Sequence, residues 1–92
     1  MTRIIVRKLI WDAYNIEHIR KHNVRQDEVE EMAKNIVMHK KAKVGRYLIL
    51  GRVGSRILSV AVSKKATGVY YPVTARDAGK KERKNVYEKE KI

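Results

Sequence analysis

The chain has 92 residues, with 22 Lys and Arg against 10 Asp and Glu, a net charge of +12. That length suits one domain, 1–92, with a single modest core and a stability margin of about 5–10 kcal/mol. The absence of cysteine excludes a disulfide framework and a thiolate metal site and fits a cytoplasmic protein. No run of about 18 apolar residues is present, so no membrane association is expected. Arg7 and Lys8 interrupt the apolar stretch 4–11, so it does not read as the apolar region of a signal peptide.

Residues 3–11 (RIIVRKLIW) read as a strand. Ile4, Val6 and Ile10 point one way, and Ile5, Leu9 and Trp11 the other. Asp12 then caps a helix running to about His22, with Ala13, Ile16 and Ile19 as its buried stripe. Arg20, Lys21 and His22 complement the dipole at its last turn, and Asn23 is a left-handed stop. A second helix spans 24–35, with Val29, Met32, Ala33 and Ile36 facing the core and four acids in its first half. Arg25 stands where a capping Ser, Thr or Asp is expected.

Residues 36–46 accommodate a short edge strand rich in Lys, followed by a loop. Three strands follow in meander order: 46–52, 56–63 and 69–75. Their connections are Val53-Gly54-Ser55 and 64–68 (KKATG). The middle strand is apolar at nearly every position and is expected at the centre. Pro72 lacks an N–H, so the last strand is either an edge or bulged there. The final helix, from about Gly79 to Glu90, has only Ala78, Val86 and Tyr87 to pack, and its end is expected to fray. The fold expected is α+β: an antiparallel sheet of about four strands, two N-terminal helices and one C-terminal helix.

The charge is unevenly placed. Residues 32–76 contain no Asp or Glu, yet ten Lys and Arg fall there, among them Arg52, Arg56, Lys64, Lys65 and Arg76. A one-signed stretch suggests a polyanion or an acidic protein partner. Charge serving solubility alone is the plain alternative.

The stretch 69–87 concentrates the chemistry, because Arg76 sits where strand becomes helix, and Glu82, Arg83 and Tyr87 lie within reach of that junction. No Gly-rich phosphate loop, HExxH or Ser/His/Asp spacing is present. His18 and His22 lie four apart, but nothing completes a metal site, so no metal or cofactor is expected. The composition suits RNA cleavage in which the 2′-hydroxyl attacks the adjacent phosphate. Arg and Lys stabilise the phosphorane, and His, Glu, Tyr or Lys move the protons. Arg76 would clamp the phosphate, with Arg52, Arg56, Lys64 and Lys65 on flanking phosphates. Tyr71 or Tyr87 would stack a base or donate a proton. Each also has a structural alternative: Arg76 paired with Glu82, Tyr87 anchoring the last helix, Lys21 and His22 ending the first.

Several residues in order resemble the BrnT toxins: Trp11-Asp12, Asn15, Lys21-His22-x-Val24, Tyr47, Gly51-Arg52, Arg56-Ile57-Leu58, and Thr74-Ala75-Arg76-x-Ala78 with Glu82 and Tyr87. The resemblance covers nearly the whole chain. It implies a RelE-like α+β fold and metal-independent endoribonuclease activity that stops translation. It also implies a BrnA-like antitoxin partner carrying a DNA-binding domain, through which alone operator DNA is contacted. Lys21, His22, Arg52, Arg76, Glu82 and Tyr87 fall on the motif positions. The chain departs from the pattern at Asn23, Arg25, Pro72 and the basic stretch before Tyr47. A non-catalytic RNA- or protein-binding module on the same fold is the second reading.

Overall fold

The computed structural model describes residues 4–91. The elements run β1 (Lys8–Leu9), α1 (Ala13–Arg20), α2 (Gln26–Ala33), β2 (Ile36–Lys41), β3 (Arg46–Val53), β4 (Arg56–Ala66), β5 (Val69–Asp77) and α3 (Lys80–Glu90). The strands form one sheet in the order β1-β5-β4-β3-β2. All neighbours are antiparallel except β1, which runs parallel to β5. The apolar β4 is central and the Lys-bearing β2 is an edge, as the sequence predicts. No helix among the described residues is long and apolar enough to cross a membrane.

The first strand is much shorter than the expected 3–11, whose first residue lies outside the described residues. Only Lys8 and Leu9 pair, because β5 begins at Val69 after the turn on one side and the chain turns into the Asp12 cap of α1 on the other. Strict alternation also fails: Leu9 is buried and Ile4, Val6 and Trp11 pack around the same core, while Ile5 is exposed.

The two faces of the sheet carry separate clusters, because adjacent strand residues point to opposite sides. One face, with Ile49, Leu58, Val60, Val62, Tyr70 and Ala75, packs on Ile19 of α1 and Val29 and Met32 of α2. The other, with Leu50 and Ile57, packs on Ala78 and Val86. Val86 is the buried residue of α3, and Tyr87 is about half exposed. In the last turn of α3, Glu90 accepts from Arg52 Nε at 2.5 Å and Nη2 at 2.8 Å.

Asp12 caps α1 as expected, and Asn15 completes the cap. Asn15 N–H donates to Asp12 Oδ1, and Asp12 N–H to Asn15 Oδ1, both at 2.9 Å. Asn15 takes the buried position expected of Ala13, which is exposed. Its Nδ2 donates to the carbonyls of Ile10 (3.0 Å) and Pro72 (3.1 Å). A buried amide is stable only with such partners, and here they fix the loop before α1 to β5. Asn23 adopts φ 60°, the left-handed stop read from its side chain. Arg25 provides no side-chain cap to α2; instead Glu28 accepts the Arg25 N–H at 2.9 Å.

Two irregularities in the β4–β5 ladder matter for the site. Ala61 pairs with Thr74 but Val62 with Pro72, so Val73 is an extra residue in β5. This is the bulge that Pro72 predicts. Further on, Lys64 pairs with Tyr70 and Ala66 with Val69, leaving Lys65 extra in β4. Lys64 and Lys65 therefore belong to a strand and not to the expected five-residue turn. The turn is Thr67-Gly68, with Gly68 at φ 75°.

Candidate functional site at the β5–α3 corner

The bulge at Val73 decides which way Arg76 points. Tyr70 and Pro72 face the side covered by α1 and α2, and unbroken alternation would send Arg76 there too. The extra residue shifts the phase, so buried Ala75 faces that side and Arg76 lies opposite Ser59, on the side covered by α3.

Glu82 meets it there. Its carboxylate accepts from Arg76 Nη1 at 3.0 Å and Nη2 at 3.4 Å, from Gly79 N–H at 2.8 Å and from the Ser59 hydroxyl at 3.3 Å. Gly79 is the residue before α3, so one carboxylate joins the helix start to the strand end. Arg76 Nη1 also donates to its neighbour Asp77 O at 3.0 Å. Glu82 and the Asp77 carbonyl thus occupy the two-nitrogen end of the guanidinium. The Nε–H and the second Nη2–H have no partner among the described residues. The Arg76 side chain is 51 % exposed, so this second edge is open to a ligand. Two parallel N–H groups match two phosphate oxygens.

Burial pushes the Glu82 carboxyl up, but the Gly79 N–H, the Arg76 guanidinium and the Ser59 hydroxyl outweigh it and hold it below its ordinary value. Glu82 is therefore an ionised carboxylate at neutral pH. It is well suited to position Arg76 and poorly suited to be the general acid.

Arg56 takes a different position from the one expected. Its Nε donates to Asp77 Oδ1 at 2.6 Å and its Nη1 to Glu28 Oε2 at 2.7 Å; Nη2 donates to Asn23 O at 2.8 Å and to Asp77 Oδ2 at 3.2 Å. The hydrogen bond from Arg56 holds the Asp77 carboxyl below its ordinary value. Arg56 thus ties β4, the end of β5, α2 and the turn after α1 together, and little of the guanidinium remains for RNA. Arg52 lies on the other face; it binds Glu90, and its guanidinium stands 5.8 Å from the centre of the Tyr87 ring.

Lys21 and His22 are exposed in the turn after α1. No hydrogen bond or ion pair joins either to Arg76 among the described residues. The link from Asn23 through Arg56 to Asp77 brings their turn to the same end of the sheet. Tyr71, Lys64 and Lys65 lie at the other end. The Tyr71 hydroxyl donates to Asp12 at 3.0 Å, and Lys65 Nζ sits 5.9 Å from the centre of the Tyr71 ring. Burial and then the Asp12 carboxylate push the Tyr71 hydroxyl pKa up. The residues expected to bind RNA therefore divide between two ends of the sheet.

Asp77, Ser59, Glu28 and Glu90 complete this corner but were not legible as site residues. Only Ser59, a hydroxyl inside the apolar strand 56–63, carried a local signal. The rings of His18 and His22 are 5.6 Å apart, and no group of three metal-ligating side chains exists among the described residues.

The layered arrangement, with a five-stranded, mostly antiparallel sheet between two N-terminal helices and a C-terminal one, is the BrnT-type toxin fold. A solved structure it resembles is the Brucella abortus ribonuclease toxin BrnT. The TM-score is 0.66 at 21 % identity, over 79 % of this chain and 97 % of that one. The likeness is one of fold. No protein-family model and no curated protein matches the chain.

Proposed function

We propose that the protein is an endoribonuclease toxin acting on RNA, the toxin half of a toxin–antitoxin pair. The observation that carries the reading is the open guanidinium edge of Arg76, held by Glu82 on a fold shared with a ribonuclease toxin. In this reading the 2′-hydroxyl attacks the neighbouring phosphorus. The P–O5′ bond then breaks, leaving a 2′,3′-cyclic phosphate and a 5′-hydroxyl. One proton leaves the 2′-oxygen and one reaches the 5′-oxygen. Arg76 stabilises the negative phosphorane through two N–H groups, and Glu82 positions it. Lys21 and His22 are the candidates for proton transfer or phosphate binding, and Tyr87, with the Arg52 guanidinium 5.8 Å from its ring centre, supports the base or the leaving group. The mechanism draws on side chains alone. The protein would act in the cytoplasm, where a BrnA-like antitoxin would neutralise it and alone contact operator DNA.

The test is incubation of the purified protein with mixed RNA in EDTA beside Arg76→Ala. Cleavage by the native protein, lost in the variant while the far-UV spectrum stays native, is the expected result. Unchanged cleavage by Arg76→Ala would remove this residue from the site. The second reading, a non-catalytic binding module, is favoured by the engagement of Arg52, Arg56 and Arg76 with carboxylates. It predicts salt-sensitive RNA binding with no cut product.

A further inference from the structure

The sheet's cations fall into two populations. At the end bearing Arg76, the arginines of β3, β4 and β5 all have carboxylate partners: Arg52 with Glu90, Arg56 with Glu28 and Asp77, Arg76 with Glu82. At the opposite end, Lys40, Lys41, Lys43, Arg46, Lys64 and Lys65 are all exposed. None of these six has an ion-pair partner among the described residues.

The six are held together by ordered backbone. Lys43 O accepts from Arg46 N–H at 2.8 Å to close the β2–β3 turn, and Gly45 O accepts from Lys64 N–H at 2.8 Å. Arg46 pairs across the ladder with Ser63, next to Lys64. Like charges gathered on neighbouring strands repel one another and cost stability, and nothing in the core requires them. The patch has one exposed large apolar side chain among the described residues, Val44 at its tip; its other exposed apolar residues are the small Ala42 and Ala66. A protein interface is built around an apolar centre with a polar rim, whereas a phosphate backbone needs only spaced cations.

We propose that this end of the sheet, formed by the tip of the β2–β3 hairpin and the end of β4, is a second RNA contact that binds the substrate backbone away from the cleavage corner. The inference rests on RNA being the ligand of the Arg76 site. Ser59, opposite Arg76, and Lys64 are five positions apart on β4, about 17 Å at roughly 3.3 Å per residue. A substrate touching both ends must therefore span several nucleotides, and very short RNA reaches only one.

The test is binding of a fluorescent RNA of about twelve nucleotides, comparable to known single-strand site sizes. Methylation of every 2′-hydroxyl prevents cleavage, so binding is read whether or not the protein is a nuclease. Lys64→Gln with Lys65→Gln is compared with Arg20→Gln with Arg25→Gln, which removes the same charge from exposed ion pairs on the helices. The hairpin-end pair is expected to lower the slope of log affinity against log salt by about 1.4, at about 0.7 per phosphate contact on single strands. The helix pair is expected to leave the slope unchanged. Equal effects from the two pairs would reduce the patch to net charge and overturn the proposal. So would no effect from either, or loss of binding to an acidic polypeptide alone. If Arg76→Ala and the native protein both fail to cut RNA while the hairpin-end dependence persists, the nuclease reading falls and this one stands.

Discussion

Glu82 joins three segments, and its contribution separates into parts that two substitutions resolve. Its carboxylate accepts from the Gly79 N–H and the Ser59 hydroxyl, and it pairs with Arg76. Its side chain is 19 % exposed. A hydrogen bond to a charged group contributes about 1.5–3 kcal/mol, and the buried Ser59 hydroxyl left without a partner adds about 1 kcal/mol. The Arg76 pair is half in solvent, so its share is discounted to about 0.5 kcal/mol. Glu82→Ala should therefore cost about 3–4.5 kcal/mol. Glu82→Gln keeps a carbonyl for the Gly79 N–H and sets its amide N–H against the Ser59 hydroxyl oxygen, and should cost about 1 kcal/mol. Urea unfolding at neutral pH reads both directly. At about 4–8 °C per kcal/mol for a domain of this size, Glu82→Ala should also melt at least ten degrees lower. If Gln proves as costly as Ala, the charge on Arg76 is the main contribution and the backbone cap is minor. If neither variant loses more than about 0.5 kcal/mol, the carboxylate does not hold the corner together and this reasoning fails.

The same groups set the acid limit of stability. Asp77 and Glu82 titrate in the folded state below their ordinary values of 3.8 and 4.5. Their stabilisation is complete above those values and is lost as the pH falls through the lower folded ones, so acid unfolding should begin below about pH 4 and be shallower in Glu82→Gln. Arg56→Met should destabilise by about 2–3 kcal/mol, more than Arg76→Ala, because it strands the Glu28 carboxylate beneath it; comparable urea midpoints for the two variants would contradict this. Gly51 has no room for a side chain: a Cβ would lie 2.8 Å from Asn35 O and 2.8 Å from Met32 Sδ. Gly51→Ala should thus cost about 1–3 kcal/mol by forcing α2 off the sheet, seen as a lower urea midpoint with an unchanged slope.

Much of the architecture was legible because its signals are local. Asp12 before an amphipathic run, Asn23 after it, glycines between apolar runs and Pro72 in a strand each carry their own steric or hydrogen-bonding cause. The charge run was equally plain, since residues 32–76 lack any acid. The errors were those of pairing. The strand 3–11 shrank to two residues because its partner β5 starts only at Val69 and the chain leaves the sheet for the Asp12 cap of α1, and Lys64 and Lys65 moved from turn to strand because a bulge let β4 continue.

The sequence by itself determined the α+β order of elements, the centrality of β4, the need for either an edge or a bulge at Pro72 and the excess of positive charge on the hairpins. Tertiary structure decided the rest of the site. One extra residue at Val73 turned Arg76 towards α3. Acids distant in sequence, Glu28, Asp77, Glu82 and Glu90, came to the arginines at one end of the sheet and left the lysines at the other without an ion-pair partner among the described residues. The reason is physical: helix and strand tendencies act over a few neighbouring residues, whereas an ion pair depends on distances that only the packed chain creates.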